Sequence, residues 1–175
     1  MHPIIYDVAV SLDGYISGPS EDISKFAHDG PVVDDYHARM AHYGTAIMGR
    51  KTYEFGYAFG LQRGQNPYPQ METIVFSQTL ECPENAEISV RSRASVREFD
   101  RLKKEARALI YLCGGGEFAG WLLEHGLIDR VFLKRAPIIL GNGVSLFGKK
   151  CSDVNLSRVG TKPYDSGYLL EELVP

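Results

Sequence analysis

The stretch that decides the fold is residues 109–123, Leu-Ile-Tyr-Leu-Cys-Gly-Gly-Gly-Glu-Phe-Ala-Gly-Trp-Leu-Leu. Its apolar start predicts a buried strand, and Phe118, Trp121 and Leu122 then follow the spacing of one helix face. Gly126 is placed to end that helix. A strand that passes directly into a helix indicates an α/β architecture.

Three consecutive glycines, Gly114, Gly115 and Gly116, join the strand to the helix. A helix N-terminus offers unpaired N–H groups and a partial positive charge, and both attract phosphate. Glycine also removes the side chains that would keep a phosphate away from the backbone. The pattern predicts either a phosphate-binding turn or a tight connection that needs positive φ angles.

The α/β pattern continues on both sides of this stretch. Apolar runs alternate with amphipathic segments, and no repeat or linker divides the chain, so we expect a single domain over residues 1–175. The predicted strands span residues 4–10, 45–48, 72–77, 87–91, 109–113 and 128–136, with an antiparallel pair at 154–160 and 167–173. The predicted helices span 31–43 before Gly44, a short stretch from Thr52, a segment after the capping box at 95–98, and the segment after the glycines. Loops are expected at 17–30 and 56–70.

A second strand–glycine–helix pattern occurs at residues 47–54, Ile-Met-Gly-Arg-Lys-Thr-Tyr-Glu. Gly49 permits close approach of a ligand, and Thr52 supplies a hydroxyl. Arg50 and Lys51 supply positive charge, which is disfavoured beside a helix N-terminus unless an anion joins it. The alternative is a solvated basic pair. Two such turns in one chain favour a ligand with more than one phosphate.

Polar residues follow two further strands. Ser77 ends the strand at 72–77, where its hydroxyl suits a ribose or phosphate contact, or a turn cap. Arg91 ends the next strand, where an arginine suits the 2′-phosphate that distinguishes NADPH from NADH. An ordinary exposed arginine is the alternative.

The composition excludes several classes of function. The formal net charge is −3, without the basic excess of a general nucleic-acid binder. No apolar run approaches the roughly 20 residues that cross a bilayer, so we expect neither a nucleic-acid partner nor a membrane. Cys82, Cys113 and Cys151 are odd in number and widely spaced. With no secretory signal, they favour a cytoplasmic protein without disulfides or a metal site.

Several segments, taken in order, resemble one known superfamily. They are residues 11–16 (Ser-Leu-Asp-Gly-Tyr-Ile), 48–54 (Met-Gly-Arg-Lys-Thr-Tyr-Glu), 75–79 (Val-Phe-Ser-Gln-Thr), 113–118 (Cys-Gly-Gly-Gly-Glu-Phe), 127–130 (Leu-Ile-Asp-Arg), 137–143 (Pro-Ile-Ile-Leu-Gly-Asn-Gly) and 146–147 (Leu-Phe). Together they resemble the dihydrofolate-reductase-like superfamily. Within it, the chain is most similar to the reductase domain of the bifunctional riboflavin-pathway deaminase–reductase. The resemblance covers nearly the whole chain.

This resemblance implies a fold, a cofactor and a set of cofactor-binding residues. The fold is a three-layer α/β sandwich whose mixed sheet is mostly parallel, with antiparallel C-terminal strands and flanking helices. The cofactor is NADPH, bound across the strand ends, and a homodimer is implied as well. The resemblance places Ala9 against the nicotinamide, Gly49, Arg50, Lys51 and Thr52 at the diphosphate and 2′-phosphate, Ser77 and Gln78 near the adenosine, and Gly114, Gly115, Gly116, Glu117 and Phe118 around the diphosphate.

The substrate is less constrained. Riboflavin-pathway reductases act on the ribosylamino group of a phosphorylated aminopyrimidinone, whereas dihydrofolate reductases hold a pterin with a buried acid on the first helix. Asp34 and Asp35 are the candidates for such an acid, although acids stabilise any helix start. The tryptophan usual after the first loop of dihydrofolate reductases is missing, since the only one here is Trp121. We expect hydride transfer from NADPH to a small pyrimidine-like compound, with pterin reduction or nucleotide binding without turnover as alternatives.

Overall fold

Eight strands form one mixed sheet in the computed structural model, which describes residues 1–149 and 153–175. They are β1 (Ile4–Val10), β3 (Tyr43–Gly49), β4 (Glu72–Phe76), β5 (Ser89–Arg91), β6 (Leu109–Leu112), β7 (Arg130–Arg135), β9 (Ser157–Pro163) and β10 (Leu169–Val174). Their order across the sheet is β5-β4-β3-β6-β1-β7-β10-β9. Two short strands, β2 (Tyr15–Ser17) and β8 (Val144–Ser145), form a separate antiparallel pair.

The sheet is parallel except at one side. β1 lies between β6 and β7 and pairs parallel with both. β3, β4 and β5 continue the parallel order, whereas β10 is antiparallel to β7 and β9 is antiparallel to β10. Parallel strands covered on both faces contain near-continuous apolar runs, which explains why β1 and β6 were recognisable from the sequence. The predicted α/β fold with antiparallel C-terminal strands is confirmed.

Helices cover both faces of the sheet. They are α1 (Pro31–Met40), α2 (Arg50–Phe55), α3 (Val96–Glu105) and α4 (Gly116–Glu124). Alternate residues of a strand point to opposite faces. Ile4 and Tyr6 of β1 therefore pack with residues of α3 and α4, whereas Ile5 packs with residues of α1 and α2. The two helical layers and the sheet are the predicted three-layer sandwich.

Local sequence explains where the helices begin. Pro31 occupies the first turn of α1, where its missing N–H removes no helical hydrogen bond. Ser95 caps α3, because its hydroxyl accepts the backbone N–H of Glu98 at 3.3 Å. Gly115, with a φ of 89°, directly precedes α4. The capping box and the glycine start of α4 were therefore sound predictions.

The prediction that the first helix reaches Tyr43 is wrong. α1 ends at Met40, and Tyr43 and Gly44 are the first residues of β3. Tyr43 is 4% exposed because it packs in the same core cluster as Met40 and Tyr111. The apolar residues of α1 and the first residue of β3 follow one another at nearly helical intervals. The sequence therefore predicted one continuous helix where the structure has a helix followed by a strand.

Other boundaries move by a few residues. α2 begins at Arg50 rather than Thr52, and β9 lies three residues later than the strand predicted at 154–160. The 17–30 segment begins at the end of β2 and contains a short 3-10 helix, Pro19–Glu21. A second 3-10 helix, Gly56–Phe59, opens the 56–70 segment. Elements of two to four residues are too short to show a hydrophobic period.

No described helix is long and apolar enough to span a membrane. Across residues 1–149 and 153–175, no group of three or more His, Cys, Asp or Glu side chains is arranged to hold a metal ion. Cys82 and Cys113 are free thiols, and Cys151 lies outside the described residues.

Candidate functional site

The residues expected to hold a cofactor lie along one edge of the sheet. Because the six strands from β5 to β7 are parallel, their carboxyl ends share that edge. Gly49 ends β3 opposite Phe76 of β4, and Arg91 of β5 lies opposite the same Phe76. Gly114 follows β6, and Ala9 lies near the end of β1. In open α/β sheets, ligands bind outside this carboxyl edge.

The glycine turn combines an open backbone with a tightly packed residue. Gly114 and Gly115 have φ angles of 116° and 89°, which strain any residue with a side chain. No atom lies within 4 Å of the position that a Cβ of Gly114 would occupy. At Gly116, in contrast, a Cβ would overlap the carbonyl oxygen of Ser145. The tight-connection explanation accounts for the φ angles and for Gly116, but it does not account for the free space beside Gly114, which is itself buried.

The two glycine-containing turns lie against each other. A Cβ on Gly115 would come 2.6 Å from Oγ1 of Thr52, so the threonine hydroxyl lies directly beside the glycine turn. A Cβ on Gly49 would lie 3.8 Å from the Cβ of Phe118. Residues 49–52 and the start of α4 therefore form one wall, which we call the glycine wall.

Two basic residues lie at one end of the glycine wall. Nη1 of Arg50 lies 2.8 Å from Oε2 of Glu54, and Lys51 is exposed. Both cations line an open groove of about 460 Å³, together with Ser20 and Glu21. The two glutamates balance the two cations, so the groove carries no net charge from these residues.

Ser77 and Arg91 have local partners at their strand ends. The Ser77 N–H donates to the Arg91 carbonyl at 2.9 Å, and the Ser77 hydroxyl accepts the N–H of Leu80 at 2.9 Å. The Arg91 guanidinium lies 2.5 Å from the Glu98 carboxylate, and Gln78 is exposed. Ser77 thus has the turn-capping role that was the alternative. A phosphate at Arg91 would share that arginine with Glu98.

Glu117 and Phe118 have different environments in the first turn of α4. The Phe118 ring packs on Phe76 and Phe99, with centroid distances of 5.4 and 6.1 Å. Glu117 is exposed, and its Oε1 accepts the backbone N–H of Lys149 at 3.4 Å. The Phe118 ring therefore belongs to the core, whereas its Cβ faces Gly49.

A cavity of about 350 Å³ opens beside Ala9. Its walls are mostly apolar and include Phe26 and Val32, from the segment before α1 and from α1 itself. His28 and His37 border it as well. The cavity is therefore suited to a planar, largely apolar ring next to the first strand.

A buried charge cluster forms the floor of this cavity. The Asp7 carboxylate has no exposed surface. Its Oδ2 accepts the Nε–H of Arg39 at 2.6 Å, and its Oδ1 accepts a hydrogen from Nζ of Lys134 at 2.6 Å. The Tyr43 hydroxyl donates to Oδ2 at 3.4 Å. Lys134 is the Cα partner of Ala9 across β1 and β7, and Asp7 and Lys134 both line the cavity.

Aromatic hydroxyls and a thiol complete the floor. Nζ of Lys134 lies 3.8 Å from the centroid of the Tyr36 ring, whose hydroxyl is 2.8 Å from that of Tyr111. The Tyr68 hydroxyl lies 2.9 Å from Sγ of Cys113. Burial raises the pKa of Tyr36, Tyr111 and Cys113 above their usual values. These groups therefore remain protonated at neutral pH.

The two candidate acids, Asp34 and Asp35, do not line the cavity. Asp34 is exposed in the first turn of α1. Asp35 accepts hydrogen bonds from the Lys162 ammonium and, at 2.7 Å, from the Tyr164 hydroxyl. These two partners hold the pKa of Asp35 below its usual value. Asp35 therefore binds Lys162 of β9 and Tyr164 of the turn after β9, and its carboxylate does not face the cavity.

Two motifs that carry the family resemblance are hydrogen-bonded to each other. The Ser11 hydroxyl donates to Oδ1 of Asp13 at 2.6 Å. The Asp13 carboxylate accepts the backbone N–H groups of Leu140 and Gly141 at 3.1 and 2.7 Å. The Ser11 bond, and then these N–H groups, lower the pKa of Asp13. We call these hydrogen bonds the Asp13 clasp, because they join the turn after β1 to the 137–143 loop. The clasp thereby fixes the carboxyl end of β1, the strand that contains Ala9.

Sequence reasoning missed Asp7 and Lys134. A signal existed, because each is a charged residue inside a strand that packs against its neighbours on both sides. A buried carboxylate requires a cation or several hydrogen-bond donors, so Asp7 within β1 implied such a partner. The identity of that partner depends on the register of β1 against β7 and on the position of α1, which the sequence does not reveal.

Residues 3–170 match the family model described as the RibD C-terminal domain. The chain belongs to this family. Over 174 residues it is 28% identical to the uncharacterized Bacillus subtilis protein YyaP, with 94% of this chain and 90% of that protein covered. The predicted family resemblance is therefore confirmed.

Solved structures agree with this assignment. A Shewanella sp. PV-4 protein described as a riboflavin biosynthesis protein is 25% identical with a TM-score of 0.83, and 98% of each chain is covered. The Thermotoga maritima deaminase/5-amino-6-(5-phosphoribosylamino)uracil reductase gives a TM-score of 0.75 at 20% identity, with 99% of this chain matching 56% of that one. Enterococcus faecalis dihydrofolate reductase in complex with NADP(H) gives 0.69 at 17%, covering 98% and 95%. The dihydrofolate-reductase-like fold is thus established, and the family supports an oxidoreductase function.

Proposed function

We propose that this chain is an NADPH-dependent reductase that delivers a hydride to a small pyrimidine-like compound. The observation that carries this function is that the glycine turn adjoins an apolar cavity beside Ala9, because Cys113, the residue before Gly114, lines that cavity. The first suits the phosphates of a dinucleotide, and the second suits a planar ring. Membership in the RibD C-terminal domain family supports the same conclusion.

The residues present fit NADPH. Gly114 offers main chain with no atom within 4 Å of its Cβ position, and Thr52 places a hydroxyl beside Gly115. We assign the diphosphate to the glycine wall and the nicotinamide to the surface of Ala9. We assign the adenosine and 2′-phosphate to the strand ends and helix start that carry Arg50, Lys51, Ser77, Gln78 and Arg91. When bound, NADPH supplies the hydride.

The remaining work of the protein is orientation and exclusion of water. The cavity walls, including Phe26 and Val32, hold the substrate ring against the first strand. The Asp13 clasp fixes the turn that follows Ala9. Holding two reactants in a defined orientation is a large part of catalysis when the cofactor supplies the chemistry. A fixed first strand is therefore a requirement of the proposed reaction.

Reduction of a pyrimidine-like compound has more support than reduction of a pterin. The described activity of the Thermotoga maritima protein with this fold is reduction of 5-amino-6-(5-phosphoribosylamino)uracil. Pterin recognition in dihydrofolate reductases uses an acid at the cavity, and neither Asp34 nor Asp35 lines it. Asp7 does line it, but its oxygens already bind Arg39 and Lys134.

Turnover tests the proposed function directly. Purified protein is mixed with NADPH and 5-amino-6-(5-phosphoribosylamino)uracil, and NADPH oxidation is followed by absorbance. We expect oxidation that depends on this compound and is faster with NADPH than with NADH. Binding of NADPH without oxidation, across this compound, pterins and simple aldehydes, would instead favour a nucleotide-binding module.

The homodimer implied by the resemblance remains a prediction. Sedimentation equilibrium of the full chain checks it, and the expected result is one species of twice the monomer mass. A monomer at micromolar concentration would remove the dimer without affecting the cofactor assignment.

A further inference from the structure

The floor of the cavity contains one amine, Lys134, which the cofactor assignment does not use. Its side chain is 10% exposed and its ammonium is fixed between the Asp7 carboxylate and the face of the Tyr36 ring. Its Cα partner is Ala9, the proposed seat of the nicotinamide. An ammonium has three N–H donors, and the hydrogen bond to Asp7 uses one of them.

Reduction of a C=N or C=O bond requires both a hydride and a proton. Because the hydride carries both electrons to carbon, the nitrogen or oxygen must receive a proton as the double bond becomes single. Of the groups that line the cavity floor, the hydroxyls of Tyr36 and Tyr111 and the thiol of Cys113 are held protonated by burial. Burial acts in the opposite sense on Lys134, lowering its pKa from the usual lysine value, while Asp7 opposes that shift. Among these floor groups, Lys134 is therefore the one whose proton burial makes easier to release, whereas burial opposes release from Tyr36, Tyr111 and Cys113.

We propose that Lys134 is the proton donor of the reaction, acting on the nitrogen or oxygen of the double bond that is reduced. A hydrogen bond from Nζ first fixes this atom above the floor. The proton then passes from Nζ to it, a C–H and an N–H or O–H bond form, the π bond breaks, and NADPH becomes NADP⁺. Lys134 recovers its proton from water, and Asp7 holds the amine in place throughout.

The surroundings of Lys134 determine how its charge depends on pH. The charged and titratable groups that face it come from every neighbouring element: Asp7 on β1, Tyr36 and Arg39 on α1, Tyr43 on β3, Tyr111 on β6 and Cys113 at the end of β6. Asp7 favours the ammonium, whereas Arg39 disfavours it. His28 and His37 also border the cavity. Loss of the Lys134 proton with rising pH should therefore lower kcat, which would appear as an alkaline limb in the profile of kcat against pH.

The role of Lys134 as proton donor rests on the proposed reductase function. The test therefore has two parts, and the first, chemical modification of the lysine, needs no turnover. Lys103 is a matched control, because its ammonium lies 2.7 Å from Asp129 with 11% of the side chain exposed, yet it does not line the cavity. Cofactor-free protein is treated with formaldehyde and cyanoborohydride at pH 8, and methylation of each lysine is followed by peptide mass spectrometry. We expect Lys134 to be methylated several-fold faster than Lys103, because a small carbonyl compound reaches it through the cavity. Methylation no faster than that of Lys103 would overturn the assignment.

The second part of the test uses Lys134→Arg, which preserves the charge opposite Asp7 but does not release a proton at ordinary pH. We expect kcat to fall by about 100-fold, a typical loss for a general acid, with an unchanged Kd for NADPH. The alkaline limb of the wild-type rate should also disappear, whereas Lys103→Arg should leave both rate and limb intact. A Lys134→Arg protein with wild-type kcat and the same limb would refute the role of Lys134. Failure of the wild-type chain to bind or oxidise NADPH would refute the proposed function instead, and the methylation result would still decide whether Lys134 is the reachable amine of the cavity.

Discussion

The glycine wall and the charge cluster beneath the cavity are the two halves of the proposed site, and they are built in opposite ways. The glycine wall consists of backbone from two strand-to-helix turns that lack side chains at Gly49, Gly114 and Gly115. The charge cluster consists of side chains from distant segments, Asp7, Arg39 and Lys134. One half is therefore encoded by short runs of sequence, and the other by the way in which β1, α1 and β7 assemble.

Removing the central carboxylate tests the charge cluster most severely. Asp7→Ala leaves the buried Lys134 and the partly buried Arg39 without their anion, so the free energy of unfolding should fall by about 3–5 kcal/mol. Urea unfolding followed by circular dichroism measures the change. The matched control is Asp35→Ala, because Asp35 pairs with Lys162 at the surface and should cost less than about 1 kcal/mol. Equal losses at both positions would show that the cluster contributes no more than a surface ion pair.

The glycine wall is tested by adding a single methyl group. Gly116→Ala places a Cβ against the carbonyl oxygen of Ser145, so the turn must move, and such overpacking costs about 1–3 kcal/mol or somewhat more. Gly114→Ala meets open space and is opposed by its φ of 116° alone. We expect Gly116→Ala to lower the urea midpoint more than Gly114→Ala does. The reverse order would mean that φ strain, rather than packing on Ser145, explains the third glycine.

This difference also explains how far the sequence could be interpreted. The strand-to-helix turns at 109–123 and 47–54 were visible because glycine and apolar residues are adjacent in the chain, and both turns occur in the structure. Asp34 and Asp35 were candidate acids because dihydrofolate reductases carry a pterin-binding acid on the first helix, but the structure directs Asp35 to Lys162. Asp7 and Lys134 are 127 residues apart, and they meet only because β1 pairs with β7.

The Asp13 clasp gives the smallest expected effect, because Asp13 is exposed. Its pKa is lowered by the Ser11 hydroxyl and then by the N–H groups of Gly141 and Leu140. A carboxylate with a lowered folded-state pKa stabilises the clasp fully above its unfolded value of about 3.9, and that contribution is lost as the pH falls through the folded-state pKa. Ser11→Ala should therefore raise the pKa of Asp13 in a carboxyl NMR titration.

The same clasp can be followed at its other end. Asp13→Asn removes the charge that receives the Gly141 N–H at 2.7 Å, so hydrogen exchange at that amide should accelerate while the global unfolding midpoint changes little. Protection of Gly141 that survives both Asp13→Asn and acidification would show that the 137–143 loop is held by other contacts.

Binding of NADPH by matched glycine variants tests the central claim most directly. Gly115 and Gly126 flank α4, both have positive φ angles, and no atom lies within 4 Å of the Cβ position of Gly126. Gly115→Asp puts a carboxylate into the glycine wall, whereas Gly126→Asp puts the same group at the far end of the helix. In titrations of NADPH fluorescence, we expect saturable binding by the wild type and by Gly126→Asp, and loss of binding by a folded Gly115→Asp protein. Wild-type affinity in Gly115→Asp, or no binding by the wild type, would contradict the assignment of the glycine wall to the cofactor.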